Sequence, residues 1–216
     1  MAATAADIKS LRDRTGAGML DCKKALAESN DDMEKAIDWL RAKGMAKAAS
    51  KAGRIATEGV VASYIHGGGK IGVLVEINCE TDFASQTDKF QTFVKDISMH
   101  IAAAAPEFVR REEVSADAFE REKRIQVARV MEEGKPQNIA EKIVEGRMSK
   151  WYEEVCLLDQ KFVKDDSKSI AQLQQEAVAG IGENVQIRRF TRYVLGEGLD
   201  KKQTDFAAEV AAAAGQ

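Results

Sequence analysis

The chain has 216 residues, 44% of them apolar and 31% charged, a balance that sustains a packed core and excludes a wholly disordered chain. Its net charge of −3 excludes a surface that wraps nucleic acid throughout, although the first 56 residues hold eleven Lys and Arg against eight Asp and Glu. Three scattered cysteines, Cys22, Cys79 and Cys156, form no Cys-x-x-Cys pair, which argues against a zinc site, a redox dithiol or a secreted disulfide framework.

Residues 1–45 read as three short helices forming an N-terminal domain. The first spans about Thr4 to Arg14 and stops at Thr15-Gly16, where glycine supplies a left-handed end. The second starts near Gly18 and places Met19, Cys22, Ala25 and Leu26 at helical spacing on one face. Met19 follows the turn directly, so it can belong to that face or look outward. Asn30-Asp31 offers the next cap. The third helix turns Met33, Ala36, Ile37 and Leu40 inward and is closed by Gly44. Three helices joined by tight turns make a UBA-like bundle, a size with a minimal core that usually serves for docking.

Residues 46–57 read as a basic linker. From Leu40 to Ala56 the chain has Arg41, Lys43, Lys47, Lys51 and Arg54 and no acid. Such a run is a solvated face or a contact for an acidic partner or RNA. It has no aromatic residue on which bases would stack, so no direct nucleic-acid binding is expected.

Residues 58–197 read as an α+β core of about three antiparallel strands covered by helices. Val60–His66 and Ile71–Asn78 form a hairpin around Gly67-Gly68-Gly69-Lys70, and the second strand is apolar enough to be central. Cys79–Gln86 reads as a loop, after which Thr87-Asp88 caps a long helix. Phe90, Phe93, Val94, Ile97, Ile101 and Ala104 line one stripe of that helix, with His100 at the stripe's edge and Pro106 marking its end. Ser115–Glu133 is helical and breaks at Gly134. Pro136 opens another helix to about Leu158, with Ala140, Ile143, Val144, Arg147, Met148, Trp151 and Val155 on one face. Lys161–Lys168 reads as a charged loop and Ser169–Ala179 as a helix closed by Gly180-Ile181-Gly182. Val185–Leu195 reads as the third strand; Val185 and Ile187 share a face but Phe190 falls opposite, as a bulge would produce. Residues 198–216 form a C-terminal module with an Ala-rich helix over Lys202–Ala214.

Motifs for chemistry are scarce. No P-loop occurs, and Gly67–Gly69 joins two strands where a phosphate-binding loop would open a helix. His66 and His100 stand alone, so neither a metal site nor an activated thiol is expected, and the chain reads as a non-enzyme without cofactor. No apolar run is long enough to cross a membrane, and no secretory leader is visible. With its three free thiols the chain fits a cytoplasmic location. The unusual segment is Thr81-Asp82-Phe83. Either Asp82 caps locally and Phe83 tucks into its own core, or Phe83 protrudes as an aromatic anchor with Asp82 beside it.

Five segments carry a resemblance. LRDRTGAGMLDCKKAL (Leu11–Leu26), VEINCETDF (Val75–Phe83), EGRMSKW (Glu145–Trp151), IGENVQIRR (Ile181–Arg189) and TDFAAEVAA (Thr204–Ala212) are similar, in order, to segments of the elongation factor Ts family. The resemblance implies a translation factor that acts as guanine nucleotide exchange factor for elongation factor Tu (EF-Tu). It implies that Thr81, Asp82, Phe83 and Ala84 dislodge the Mg²⁺ held by EF-Tu, and that Arg12, Met19, Leu20, Lys23, His100, Ile181 and Gly182 contact that partner. Longer members carry a duplicated core and a coiled-coil insertion. Here the first signature strand leads directly to SMHIAAAAPEF, which implies that half of that core is absent and that two copies of the chain complete it. A docking adaptor built on the UBA-like bundle is the alternative; it would need neither Asp82 nor Phe83.

Overall fold

In a computed structural model of the chain, residues 3–15 and 17–199 are described. Gly16, the predicted helix over Lys202–Ala214 and the segment Thr204–Ala212 lie outside them. The elements in order are α1 (Ala5–Thr15), α2 (Met19–Glu28), α3 (Met33–Ala49), β1 (Glu58–His66), β2 (Ile71–Cys79), α4 (Asp82–Ser85), α5 (Asp88–Ala104), α6 (Ala116–Glu132), α7 (Gln137–Val155), β3 (Lys161–Phe162), β4 (Asp165–Ser169), α8 (Ile170–Ile181) and β5 (Gln186–Val194).

The N-terminal bundle closes on Leu11, Cys22, Ala25, Leu26 and Ala36, all fully buried. Asn30 and Asp31 adopt left-handed backbone, and the capping residue is Asp32, whose carboxylate accepts from the Lys35 amide at 3.1 Å. Gly44 does not end α3. The helix runs through it to Ala49, and Gly44 lies close to Ala179 of α8, where an added Cβ would meet the alanine methyl at 3.6 Å. Packing against α8 outweighs the modest helix penalty of one glycine. The basic linker is therefore helical at its start, and its cations find partners within the chain. Lys43 and Lys47 grip Asp21 at 2.6 and 2.8 Å, and Lys51 donates to the Gly182 carbonyl.

The core sheet has the order β1-β2-β5, antiparallel throughout, with β2 central as its sequence implies. Gly67, Gly68 and Gly69 all take positive φ in the connecting turn, which side chains would strain. Pairing of β2 with β5 slips by one residue between Glu76 and Ile77 and leaves Arg188 without an opposite partner. That bulge lets Ile187 and Phe190 both face inward, as the broken alternation requires. The inner face packs on the Phe90, Phe93, Val94, Ile97 and Ile101 stripe of α5, whose first turn is capped by the Thr87 hydroxyl.

Two predicted loops carry structure. Cys79–Gln86 contains the single-turn helix α4, and Lys161–Lys168 falls within the β3–β4 hairpin. α6 and α7 form an antiparallel helical hairpin with its own small core of Val130, Ala140, Val144 and Met148. On the predicted α7 face, Ile143 is exposed, and α7 ends at Val155 ahead of a short turn over Leu157–Asp159.

Candidate partner-binding surface

Thr81–Ala84 sits where the central strand ends and before α5 begins. Its backbone is fixed on both sides: Cys79 and Ala84 are buried, and Phe90 anchors the next helix. The Thr81 hydroxyl caps α4, accepting from the Ala84 amide at 3.3 Å. Ser85 donates its hydroxyl to the Asp82 carbonyl at 2.6 Å, and Gln91 donates to the Ser85 carbonyl at 2.7 Å. Phe83, on this closed turn, is 81% exposed. Among the described residues, Phe83 therefore does not tuck into the core of its own chain. Asp82 beside it is exposed, and its carboxylate accepts from the Phe83 amide at 2.9 Å.

Beneath the turn lies a contact that local sequence gives no sign of. The Glu183 carboxylate accepts from the amides of Glu80 and Thr81 at 3.1 and 3.0 Å and from the Thr81 hydroxyl at 2.7 Å. Glu80 answers in kind, accepting from the Asn184 amide at 2.6 Å. That hydrogen bond, aided by the nearby charge of Arg54, holds the Glu80 carboxyl below its ordinary range. The Asn184 side chain, itself buried, donates to the carbonyls of Ala52 and Arg54 at 3.4 and 2.7 Å. The α8–β5 loop thus ties the end of β2 to the end of the basic linker.

The other predicted contact residues are scattered. On the bundle, Arg12, Met19, Leu20 and Lys23 are exposed, Leu20 to 84%. Met19 looks outward while Cys22, Ala25 and Leu26 are buried. Gly182 is exposed with a positive φ at the end of α8, and Ile181 is half-buried against the core. His100 is not at the edge of its stripe. It is fully buried, its Nε2 lies 2.9 Å from Gln160 Oε1, and its Nδ1 accepts from the Val163 amide. Gln160 donates its own amide to the Glu154 carbonyl, which orients its oxygen toward the histidine and fixes the neutral Nε2–H form of the ring.

The same geometry bears on chemistry. Burial pushes the thiols of Cys22 and Cys79 up, and that of Cys156 to about 11, away from the thiolate a nucleophile needs. Cys79 donates to the Thr81 carbonyl and His100 to Gln160, so the two are engaged apart. Among the described residues, no three His, Cys, Asp or Glu side chains converge as metal ligands would. Also among these, no helix is long and apolar enough to cross a membrane. A cleft of about 1000 Å³ separates bundle from core, lined by cations such as Arg14 and Lys89 and anions such as Asp88 and Glu176.

The fold and its outward side chains define a two-part α+β protein: a three-helix module against α8 of a core built on a small antiparallel sheet, with an exposed aromatic on a capped turn at the sheet's end. The family model of Elongation factor TS matches residues 21–197, most of the chain. An elongation factor Ts of Geobacter metallireducens is 64% identical over 215 residues, covering all of both chains. One of Desulforamulus reducens is 65% identical over 97% of this chain and 96% of its own, and one of Carboxydothermus hydrogenoformans 63% over 95% of each. The chain belongs to the elongation factor Ts family and is thereby a translation elongation factor.

Proposed function

We propose that this chain promotes GDP release from EF-Tu as a guanine nucleotide exchange factor, with Phe83 as its wedge. The observation that carries the reading is an 81% exposed phenylalanine on a capped turn between a buried strand and a buried helix. An anchor ordered before binding loses little conformational entropy when it docks. Phe83 would enter an apolar pocket of the GTPase. Thr81, Asp82 and the backbone at Ala84 would then disturb the groups that support Mg²⁺. Magnesium bridges phosphate oxygens and tolerates little distortion, so GDP affinity falls about tenfold for each ~1.4 kcal/mol lost.

Arg12, Met19, Leu20 and Lys23 would grip the partner from the side, with Ile181 and Gly182 adding a contact from the core. His100 is fully buried against Gln160 and Val163, so it offers the partner no surface of its own. Coupling is reciprocal: a chain that lowers EF-Tu's affinity for GDP is itself bound less tightly when GDP is present. No bond is made or broken, so the chain needs no catalytic residue and acts in the cytoplasm, where translation runs.

A second copy of the chain would complete the core. Val61, Ile65, Leu74, Tyr193 and Leu195 are all exposed on the outer face of the sheet, an apolar patch of the kind that marks an interface.

The test is release of fluorescent GDP from EF-Tu in stopped flow, with the wild-type chain, with Phe83→Ala and with buffer. The wild type accelerates release, and loss of the aromatic anchor slows the accelerated rate by about tenfold or more. Acceleration that survives the substitution would move the mechanism to the bundle. No acceleration by folded wild type would favour the docking adaptor.

A further inference from the structure

Among the described residues Phe83 is 81% exposed, so its direction is set mainly by the backbone beneath it. That backbone starts at Thr81, and the group holding Thr81 comes from far along the chain. Glu183 takes three donors in one carboxylate: the amides of Glu80 and Thr81 and the Thr81 hydroxyl. The hydroxyl so held is the one that caps α4 by accepting the Ala84 amide. Its proton goes to Glu183, which leaves a lone pair aimed at the turn. Charge-assisted bonds of this kind are stronger than neutral ones, and two amides plus a hydroxyl fix orientation as well as distance.

We propose that Glu183 is a positioning residue for exchange: its carboxylate, through Thr81, sets the direction in which α4 presents Phe83. This rests on the exchange reading above. Glu183 lies between the exposed Gly182 and the buried Asn184 and is half-buried itself, so its carboxylate serves its own chain. Removing it leaves the bundle's grip on the partner intact and leaves Phe83 in place but loosely aimed. The loss therefore falls on the maximal rate of GDP release, and the concentration for half-saturation changes little.

The experiment titrates EF-Tu·GDP release with wild type, Glu183→Ala, Glu183→Gln, Phe83→Ala and the Phe83→Ala/Glu183→Ala pair, together with hydrogen exchange of the Glu80 and Thr81 amides. Glu183→Ala lowers the saturating rate about tenfold with a half-saturation shift below about twofold, and both amides exchange faster. Glu183→Gln, which keeps an oxygen for the amides, recovers much of the rate. In the Phe83→Ala background the Glu183 change adds nothing, because both substitutions remove one event. If Glu183→Ala does not fold, Glu183→Asp, which withdraws the carboxylate by one methylene, takes its place in every comparison. A full saturating rate in the folded variant would overturn the proposal, as would a loss that adds to that of Phe83→Ala. Should the wild type itself fail to release GDP, the exchange reading falls and the proposal with it. The amide exchange separates that result from a failure of the Glu183 contact.

Discussion

Single residues set two properties that can be read in solution. His100 is held neutral by burial, which lowers its pKa from 6.5; its hydrogen bond to Gln160 opposes this only in part. The unfolded chain takes up a proton near pH 6.5 and the folded chain does so at lower pH. Between those values the unfolded state binds more protons, so stability falls as pH drops below about 6.5. The slope from one such group is at most about 1.4 kcal/mol per pH unit. Thermal unfolding of wild type and a His100→Gln variant from pH 7.5 to 5.5 should show the wild-type advantage shrinking with acid; a constant gap would remove His100 as the cause. Gly59 is the second case. Its φ of +133° lies opposite Asn78, and an added Cβ would fall 2.1 Å from the Ile77 carbonyl oxygen. The obstacle is backbone on the central strand and cannot swing aside. Gly59→Ala should cost about 2–4 kcal/mol in urea unfolding, well above an ordinary surface change.

At the scale of elements, the α6–α7 hairpin has a core of its own, separate from that of the sheet. Met148→Ala should therefore cost about 2–3 kcal/mol locally, seen as faster amide exchange across α6 and α7 while β2 keeps its protection. Uniform loss in both regions would show one cooperative unit. The sequence announced both helices, α7 through a periodic face and α6 between Ser115 and the break at Gly134, yet nothing local said that they pair with each other. The same divide runs through the molecule. The β5 bulge was legible because Ile187 and Phe190 cannot share a face at even spacing without an extra residue. The α4 turn was not, since four residues show no period and their helix depends on the Thr81 cap and on the Ser85 hydroxyl donating to the Asp82 carbonyl. β3 and β4 were hidden by composition: KFVKDDSKS carries charges where a strand shows alternation, and Phe162 alone is buried. Phe83 could be flagged from its neighbours. Glu183 could not, because its partners lie about a hundred positions away. His100 looked peripheral on its own helix and is enclosed by Gln160, Phe162 and Val163, which arrive from the β3 side.

At the scale of the whole molecule, the two faces of the sheet have opposite fates. The inner face is closed by α5, and α4 packs on that same side, since Ala84 belongs to the core under the helix. Among the described residues the outer face is left open, with Leu74 near its centre between Ser63 and Thr191, whose small side chains leave it standing proud. If two copies pair through this face, the contact is isologous and each Leu74 is buried near the two-fold axis. Leu74→Glu would then place two like charges at the axis without partners, and association should be lost while the single-chain fold remains. Sedimentation equilibrium decides it. A wild type of dimer mass and a variant of monomer mass fit the interface, whereas a monomeric wild type, or a variant that still pairs, removes this face from the contact. The consequence for exchange follows from the layering. Because α4 packs on the inner side, pairing through the outer face would leave both Phe83 side chains uncovered, and on the proposed exchange reading a dimer would bind two molecules of EF-Tu. The Leu74→Glu monomer should bind one and release GDP at nearly the wild-type rate per chain.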